Sequence, residues 1–210
     1  MSMVGELNKK AIEAGGGVFR RTEPDAPSFN HHNTQVLLIK PHASRPELGE
    51  PQFQLPKGSQ HIINADGSVT DSKDIEDRPL EESQTLENLN LAALREVAEE
   101  TGVFITPQNS DVGEGEIFQI ISIRTKKSKP VFLLPILLKN PLETMNATSA
   151  SHGLTPDSRP DSAETRWFYL VEVTENTDEL IRADHVPAII SLYKRLAGEL
   201  LTEGLTEEGR

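Results

Sequence analysis

"LREVAEETGV", residues 94–103, places Glu96, Glu99 and Glu100 in the closing turns of a run with helical spacing. Leu86, Leu89, Ala93, Leu94, Val97 and Ala98 recur every three or four residues and give that run one apolar face. The spacing predicts a helix from about Leu86, stopped at Gly102, the residue that most easily takes the left-handed cap conformation. At about 100° per residue the three glutamates fall within an arc of roughly 100°, and as i, i+3 and i+4 neighbours their carboxylates can converge. Like charges so spaced cost roughly a few tenths of a kcal/mol each. The negative end of the helix dipole adds ~0.3–1 kcal/mol per charge. Only Arg95, four residues before Glu99, offsets them. A solvated acidic face would explain an arbitrary Glu-rich helix. Here a local rule is broken three times in five residues, which points to a site. Hard divalent cations favour clustered carboxylate oxygens, and Mg²⁺ takes a few of them together with waters and phosphate.

The rest of the chain bounds what that site can serve. It has 210 residues, 36% of them hydrophobic and 26% charged, with a net charge of −12 and no cysteine. The length fits one domain with extensions, and part of the chain reads as loop or tail. The acidic balance argues against extended contact with a nucleic acid backbone, which needs a wide basic surface. It leaves room for a small phosphorylated ligand held by a metal and a few local cations. Without cysteine there are no disulfides, thiolate zinc sites or cysteine nucleophiles. No apolar run reaches spanning length, and "MSMVGELNKK" lacks the apolar centre of a secretory signal. The expectation is a soluble, intracellular protein of the cytoplasm, with the nucleus as the alternative and no membrane partner.

Outward from the helix, "GGGVFRR" (15–21) and "TQVLLIKP" (34–41) read as strands, followed by "FQLPKG" (53–58). Between Gly58 and Glu87 lie 28 residues with seven acids and two bases. Their lack of a sustained apolar period predicts a surface insertion or mobile loop. "EIFQIISIRT" (116–125), "KPVFLLPILL" (129–138) and "TRWFYLVEV" (165–173) read as strands, the second of them buried, and residues 140–164 as a long loop. Residues 184–201 read as an amphipathic helix capped by Asp184, and 202–210 as a frayed, flexible tail. Residues 1–14 are read as an N-terminal extension, and 15–201 as a single α+β or α/β domain.

Glu87, then seven residues, then "REVAEETGV", fits the second part of the Nudix box: Glu, seven residues, Arg-Glu-apolar-any-Glu-Glu-any-Gly-apolar. Every fixed position matches. "LPKG" (55–58) resembles the segment that carries the opening glycine of the box. The family spaces that glycine five residues from the first glutamate. If Gly58 is that glycine, 23 extra residues at about 59–86 split the box. The resemblance implies a mixed sheet sandwiched between helices in a single domain. It also implies a pyrophosphohydrolase that cleaves a phosphoanhydride of a diphosphate linked to some group, using Mg²⁺ or Mn²⁺. Carried over by position, Glu96, Glu99 and Glu100 would be metal ligands, with the Gly58 carbonyl as a further one. Arg95 and Glu87 would brace the site, and Glu99 or Glu100 would take the proton of the attacking water.

Other candidates lie outside the box. Lys57 is either a phosphate contact or a solvated lysine, and one of Arg20 and Arg21 faces the cleft, since strand neighbours point to opposite faces. Arg124, Lys126, Lys127 and Lys129 form the one dense basic patch. It suits a polyanionic substrate and loosely resembles the basic hairpin of diphosphoinositol polyphosphate phosphohydrolases; an ordinary charged turn is the alternative. Glu164 precedes Trp167 where several relatives supply a further ligand or base, and Asp161 competes for that place. The substrate classes in view are dinucleoside polyphosphates, diphosphoinositol polyphosphates and nucleotide sugars. The alternative reading is a non-catalytic module that binds a nucleotide or, through the insertion, a protein partner.

Overall fold

The structure, a computed structural model, describes residues 11–23, 30–41, 51–71, 80–122, 126–139, 162–176 and 179–207; residues 162–163 and 199–207 are described as backbone alone. Within these, the strands are β1 (Glu13–Arg21), β2 (Thr34–Pro41), β3 (Lys57–Ser59), β4 (His61–Ile63), β5 (Val69–Asp71), β6 (Thr85–Leu86), β7 (Ser110–Val112), β8 (Glu116–Ile121), β9 (Ser128–Leu138) and β10 (Ser162–Tyr169). The helices are α1 (Leu89–Thr101), α2 (Leu170–Glu175) and α3 (Val186–Glu207).

The main sheet is mixed, ordered β10-β2-β1-β9-β7, with β3 also on β1 and β8 also on β9. β1 and β9 run parallel in its centre, and the other pairs are antiparallel. Two strands change partners along their length. β1 pairs β3 through residues 13–15 and β2 through 18–21. β9 pairs β8 through 128–133 and β7 through 136–138. Pro135 stands at the changeover in β9, where a strand can best do without an N–H, and its carbonyl accepts from Gly113 N–H at 3.0 Å.

Side-chain alternation along β1, β2 and β9 divides the core in two. Phe19, Leu38, Leu133 and Leu137 pack with Leu170, Ile189 and Leu192 of α2 and α3. Val18, Leu37, Leu134 and Ile136 pack with Ala92, Ala93 and Val97 of α1 on the other side. The molecule is a mixed sheet between helices in one domain. The glycine run lies inside β1, which leaves α1 and α3 close to the strand: a methyl on Gly16 would press on Val97 and Ile136, and one on Gly17 on Leu192.

Several boundaries differ from the sequence reading. The strand expected at 165–173 ends at Tyr169, because Glu172 reaches back to accept the Tyr169 N–H at 2.6 Å and opens α2. Asp184 does not cap the last helix; its carboxylate takes the Ile121 N–H and the Arg182 guanidinium, and the helix starts at Val186 with Pro187 in its first turn. That helix runs on to Glu207, through the segment expected to fray, where no proline interrupts it. Leu86 lies in β6, not in α1, which starts after Asn88, whose side chain accepts from the N–H groups of Asn90 and Leu91.

The largest difference concerns the stretch after Gly58, read as a surface insertion or mobile loop. It contains an antiparallel sheet ordered β5-β4-β6. The sequence does hold a hairpin signal, "HII" and "SVT" on either side of a turn with Asp66-Gly67. Asn64 N–H donates to the Ser68 carbonyl at 2.9 Å, and Gly67 turns the chain at φ 80°. The pairs Ile62↔Leu86 and Ile63↔Thr85 then bind the two ends of the stretch to each other. Of the loop expected at 140–164, residues 162–164 belong to β10; residues 140–161, with Asp161, lie outside the described residues, as do 1–10 and 208–210.

Candidate active site

α1 presents its last turns to the point where β3 leaves the main sheet. Gly102 caps it in the left-handed conformation (φ 71°), donating its N–H to the Ala98 carbonyl at 2.8 Å. Glu96, Glu99, Glu100 and Arg95 from this helix line one cavity with Lys57, Gly58 and Ser59 of β3. His61, Asp71 and Glu13 complete its wall. The segment leading to Gly58 is fixed on both sides. Pro56 accepts from Gly16 N–H at 3.2 Å, and Leu55 N–H donates to Nδ1 of the buried His185 at 3.1 Å.

Arg95 is the hub. Its Nε and Nη2 donate to the two oxygens of Glu87 at 3.1 and 2.9 Å. Nη1 donates to Glu96 and to Glu99, both at 2.8 Å, and Nη2 also to the Ser59 carbonyl at 2.8 Å. These contacts use all five donors of the guanidinium. Burial alone would lower the Arg95 pKa; the hydrogen bond to Glu87 and the charges of Glu96 and Glu99 outweigh it and hold the pKa above its usual value. Burial would raise Glu87, but the bonds from Arg95 and the His61 N–H (3.0 Å) prevail, and it stays below the ordinary carboxylate range.

Glu96 is 7% exposed and sits on the inner side of the helix beside Val97. Its carboxylate lies flat against Gly58, where any Cβ would collide with it. Glu99 is more open, with 38% of its side chain exposed. Among the described residues no three histidine, cysteine, aspartate or glutamate side chains stand close enough to hold a metal ion by themselves. The carboxylates of the cavity nonetheless supply oxygens of the kind Mg²⁺ prefers, and Mg²⁺ ordinarily shares its shell between one or two carboxylates, waters and phosphate.

The structure thus gathers Glu87, Arg95, Glu96, Glu99, Glu100, Gly58 and Lys57. Lys57 is neither solvated nor available as a bare cation, since it pairs with Glu13 at the cavity edge. Arg20, Lys126, Lys127 and Glu164 do not line this cavity. Arg20 donates to Gln35 at 2.8 Å and stacks over the Trp167 ring at 4.1 Å. Lys126 and Lys127 lie where the β8–β9 turn closes, with Lys126 at φ 54°, and Glu164 is opposite Lys40 on β10. Arg124 lies outside the described residues.

Sequence reasoning passed over Gln60, His61 and Asp71. Gln60 is buried, accepts the Ile12 N–H at 2.9 Å and donates to the Glu87 carbonyl at 2.7 Å. The adjacency of "SQH" to Gly58 was the available signal for the first two.

No protein-family model matches the chain, and no curated protein matches it. Among solved structures it is similar to a NUDIX hydrolase from Nitrosomonas europaea, at 16% identity over 90% of this chain and 91% of that one, with a TM-score of 0.48. It is similar also to a C. elegans Ap4A hydrolase, at 18% identity over 91% and 98%, TM-score 0.46. A third is the NUDIX domain of Shewanella oneidensis NrtR complexed with ADP ribose, at 15% identity over 93% and 99%, TM-score 0.46. No helix among the described residues is long and apolar enough to cross a membrane. With its box residues intact and a mixed sheet between helices around them, the chain resembles the Nudix hydrolases.

Proposed function

We propose that this chain is a Nudix-type pyrophosphohydrolase that uses Mg²⁺ or Mn²⁺ to cleave a phosphoanhydride in a nucleoside diphosphate-linked or related polyphosphate substrate. The observation that carries this is a single cavity faced by Gly58, Glu96, Glu99 and Glu100, with one guanidinium fixing two of the three carboxylates. Nothing in the packing of α1 requires that concentration of negative charge. It is supportable where a cation and a phosphate complete the site.

When bound, the metal would offset charge on the phosphate oxygens and lower the pKa of a water bound to it. Glu96, Glu99, Glu100 and the Gly58 carbonyl are the groups we assign to hold it. Arg95 orients the first two, and Glu87 with the Ser59 carbonyl orients Arg95. We assign Glu99 or Glu100 to take the proton of the attacking water. Lys57, paired with Glu13 at the cavity edge, is left out of the phosphate contacts we assign.

The test is product analysis across dinucleoside polyphosphates, diphosphoinositol polyphosphates and nucleotide sugars, with Mg²⁺ and with chelator. We expect metal-dependent cleavage of one class, reduced about 100-fold or more in both Glu99→Gln and Glu100→Gln, with the fold retained. Near wild-type turnover in both variants would defeat the assignment. Metal-dependent thermal stabilisation without cleavage of any class would leave a nucleotide-binding module instead.

A further inference from the structure

The stretch that splits the box contributes to the cavity it interrupts. His61 and Asp71 are opposed in the β4–β5 register, and both line the wall facing the helical glutamates. Antiparallel alternation puts the next opposed pair on that face, Ile63 and Val69, directly outward from them. Ile62 points the other way and is buried, so the hairpin is seated on the body of the protein. Ile63 and Val69 are 37% and 58% exposed.

The hairpin is also braced. Asn64 Nδ2 donates to Ser68 Oγ at 2.9 Å and to Thr70 Oγ1 at 3.1 Å, while Gln84 donates to Asn64 Oδ1 at 2.8 Å. The His61 backbone exchanges two hydrogen bonds with Glu87, through its N–H to the carboxylate and its carbonyl to the Glu87 N–H. The wall therefore keeps a fixed place relative to Arg95 and its carboxylates.

Along this face the chemistry changes in order. Carboxylates come first, then an imidazole and Asp71, then two apolar side chains. The cavity's strong cations are already engaged, Lys57 by Glu13 and Arg95 by three glutamates. A further carboxylate at Asp71 repels additional phosphate and accepts hydrogen bonds from hydroxyl groups. An apolar pair beyond it suits a flat ring.

Resting on the hydrolase reading above, we infer that the β4–β5 hairpin is the substrate-selecting wall and takes a nucleoside. His61 and Asp71 face its sugar hydroxyls, and Ile63 and Val69 face its base. A ring carrying phosphates on every side is disfavoured there. The hairpin thereby selects among the substrate classes that the box alone leaves open.

The experiment compares the wild type with Asp71→Asn and with the double variant Ile63→Ser/Val69→Ser. These positions are exposed or at the cavity wall, so folding is not at stake. Hydrolysis of a dinucleoside polyphosphate, ADP-ribose and a diphosphoinositol polyphosphate is followed with Mg²⁺. The wild type should prefer a nucleoside substrate. Each variant should raise its KM about tenfold, with kcat within about twofold, as expected for one lost binding contact. Unchanged KM in both variants, or wild-type preference for the diphosphoinositol polyphosphate, would overturn the inference. If nothing is cleaved, the hydrolase reading falls, and calorimetric titration of ADP-ribose with Mg²⁺ decides the wall separately. Affinity weakened about tenfold in both variants sustains it; equal affinity, or no binding by wild type, overturns it.

Discussion

Two arginines organise this molecule, and they differ in their company. Arg182, 7% exposed, donates to Gln54 at 2.9 Å, to the Ile121 carbonyl and to both oxygens of Asp184 at 3.1 and 2.7 Å. One cation meets one carboxylate, and the loop before α3 is tied to the end of β8. Arg95 meets three carboxylates, and Glu100 stands on the same cavity wall. Both guanidinia are richly bonded, so bonding alone marks only rigidity. The surplus of negative charge at Arg95 is what supports the metal site proposed above.

The sharpest way to break this comparison is to remove each arginine. Arg95→Met should lower turnover about 100-fold, because its carboxylates lose their fixed positions. Arg182→Met should keep turnover within about threefold per folded molecule, as measured by steady-state hydrolysis normalised to folded fraction. Equal losses in the two variants would erase the distinction.

Stability should separate them next. Arg182→Met strands a largely buried carboxylate and should cost about 3–5 kcal/mol in urea unfolding. Arg95→Met should also lose stability, yet recover part of it when Mg²⁺ is added, since a ligand of the folded state shifts the balance toward it. Thermal melts with and without Mg²⁺ would show this: Arg182→Met should gain from Mg²⁺ only what the wild type gains, and a gain in Arg95→Met no larger than in the wild type would contradict it.

The split box offers a third, smaller contrast. Replacing 64–84 by a short turn should cost about 1 kcal/mol or less, because the Ile62↔Leu86 and Ile63↔Thr85 pairs remain. Removing 60–85 also removes Gln60, leaving the Ile12 N–H and the Glu87 carbonyl without it, and should cost about 2–3 kcal/mol. Urea unfolding of the two deletions gives the difference directly.

The smallest effect is in pH. Burial, then the positive charges of Arg182 and Lys57, hold His185 well below its ordinary value of 6.5. An unfolded histidine takes up a proton near pH 6.5 and the folded one does not, so stability falls as pH drops below that point. The loss should be about 1 kcal/mol by pH 5.5, and the slope should flatten in His185→Gln.

Much of the candidate site was legible because its signal is local. Glu96, Glu99 and Glu100 break a helix rule within one turn and a half, and Arg95 stands among them. The central strands were legible because β-branched and leucine runs at β2 and β9 carry both faces of the core. What was not legible depends on pairing. The β4–β6 ladder joins residues more than twenty positions apart with only two pairs, too little apolar content to show a period. Arg20 read as a cleft residue because alternation gives the face of a strand but not its neighbour; the neighbour is Trp167 on β10, beyond β2. Asp184 read as a cap because nothing local announces Ile121, 63 residues away, as a rival claimant.

The close approach of Glu96 to Gly58 has a practical use. Replacing a glutamate by glutamine changes charge and leaves shape; Gly58→Ala does the reverse. It keeps every ionisable group in the chain and evicts one carboxylate from its seat by the bulk of a methyl group. Paired with Glu96→Gln, it separates how much of the activity depends on having the charge from how much depends on where the charge is held.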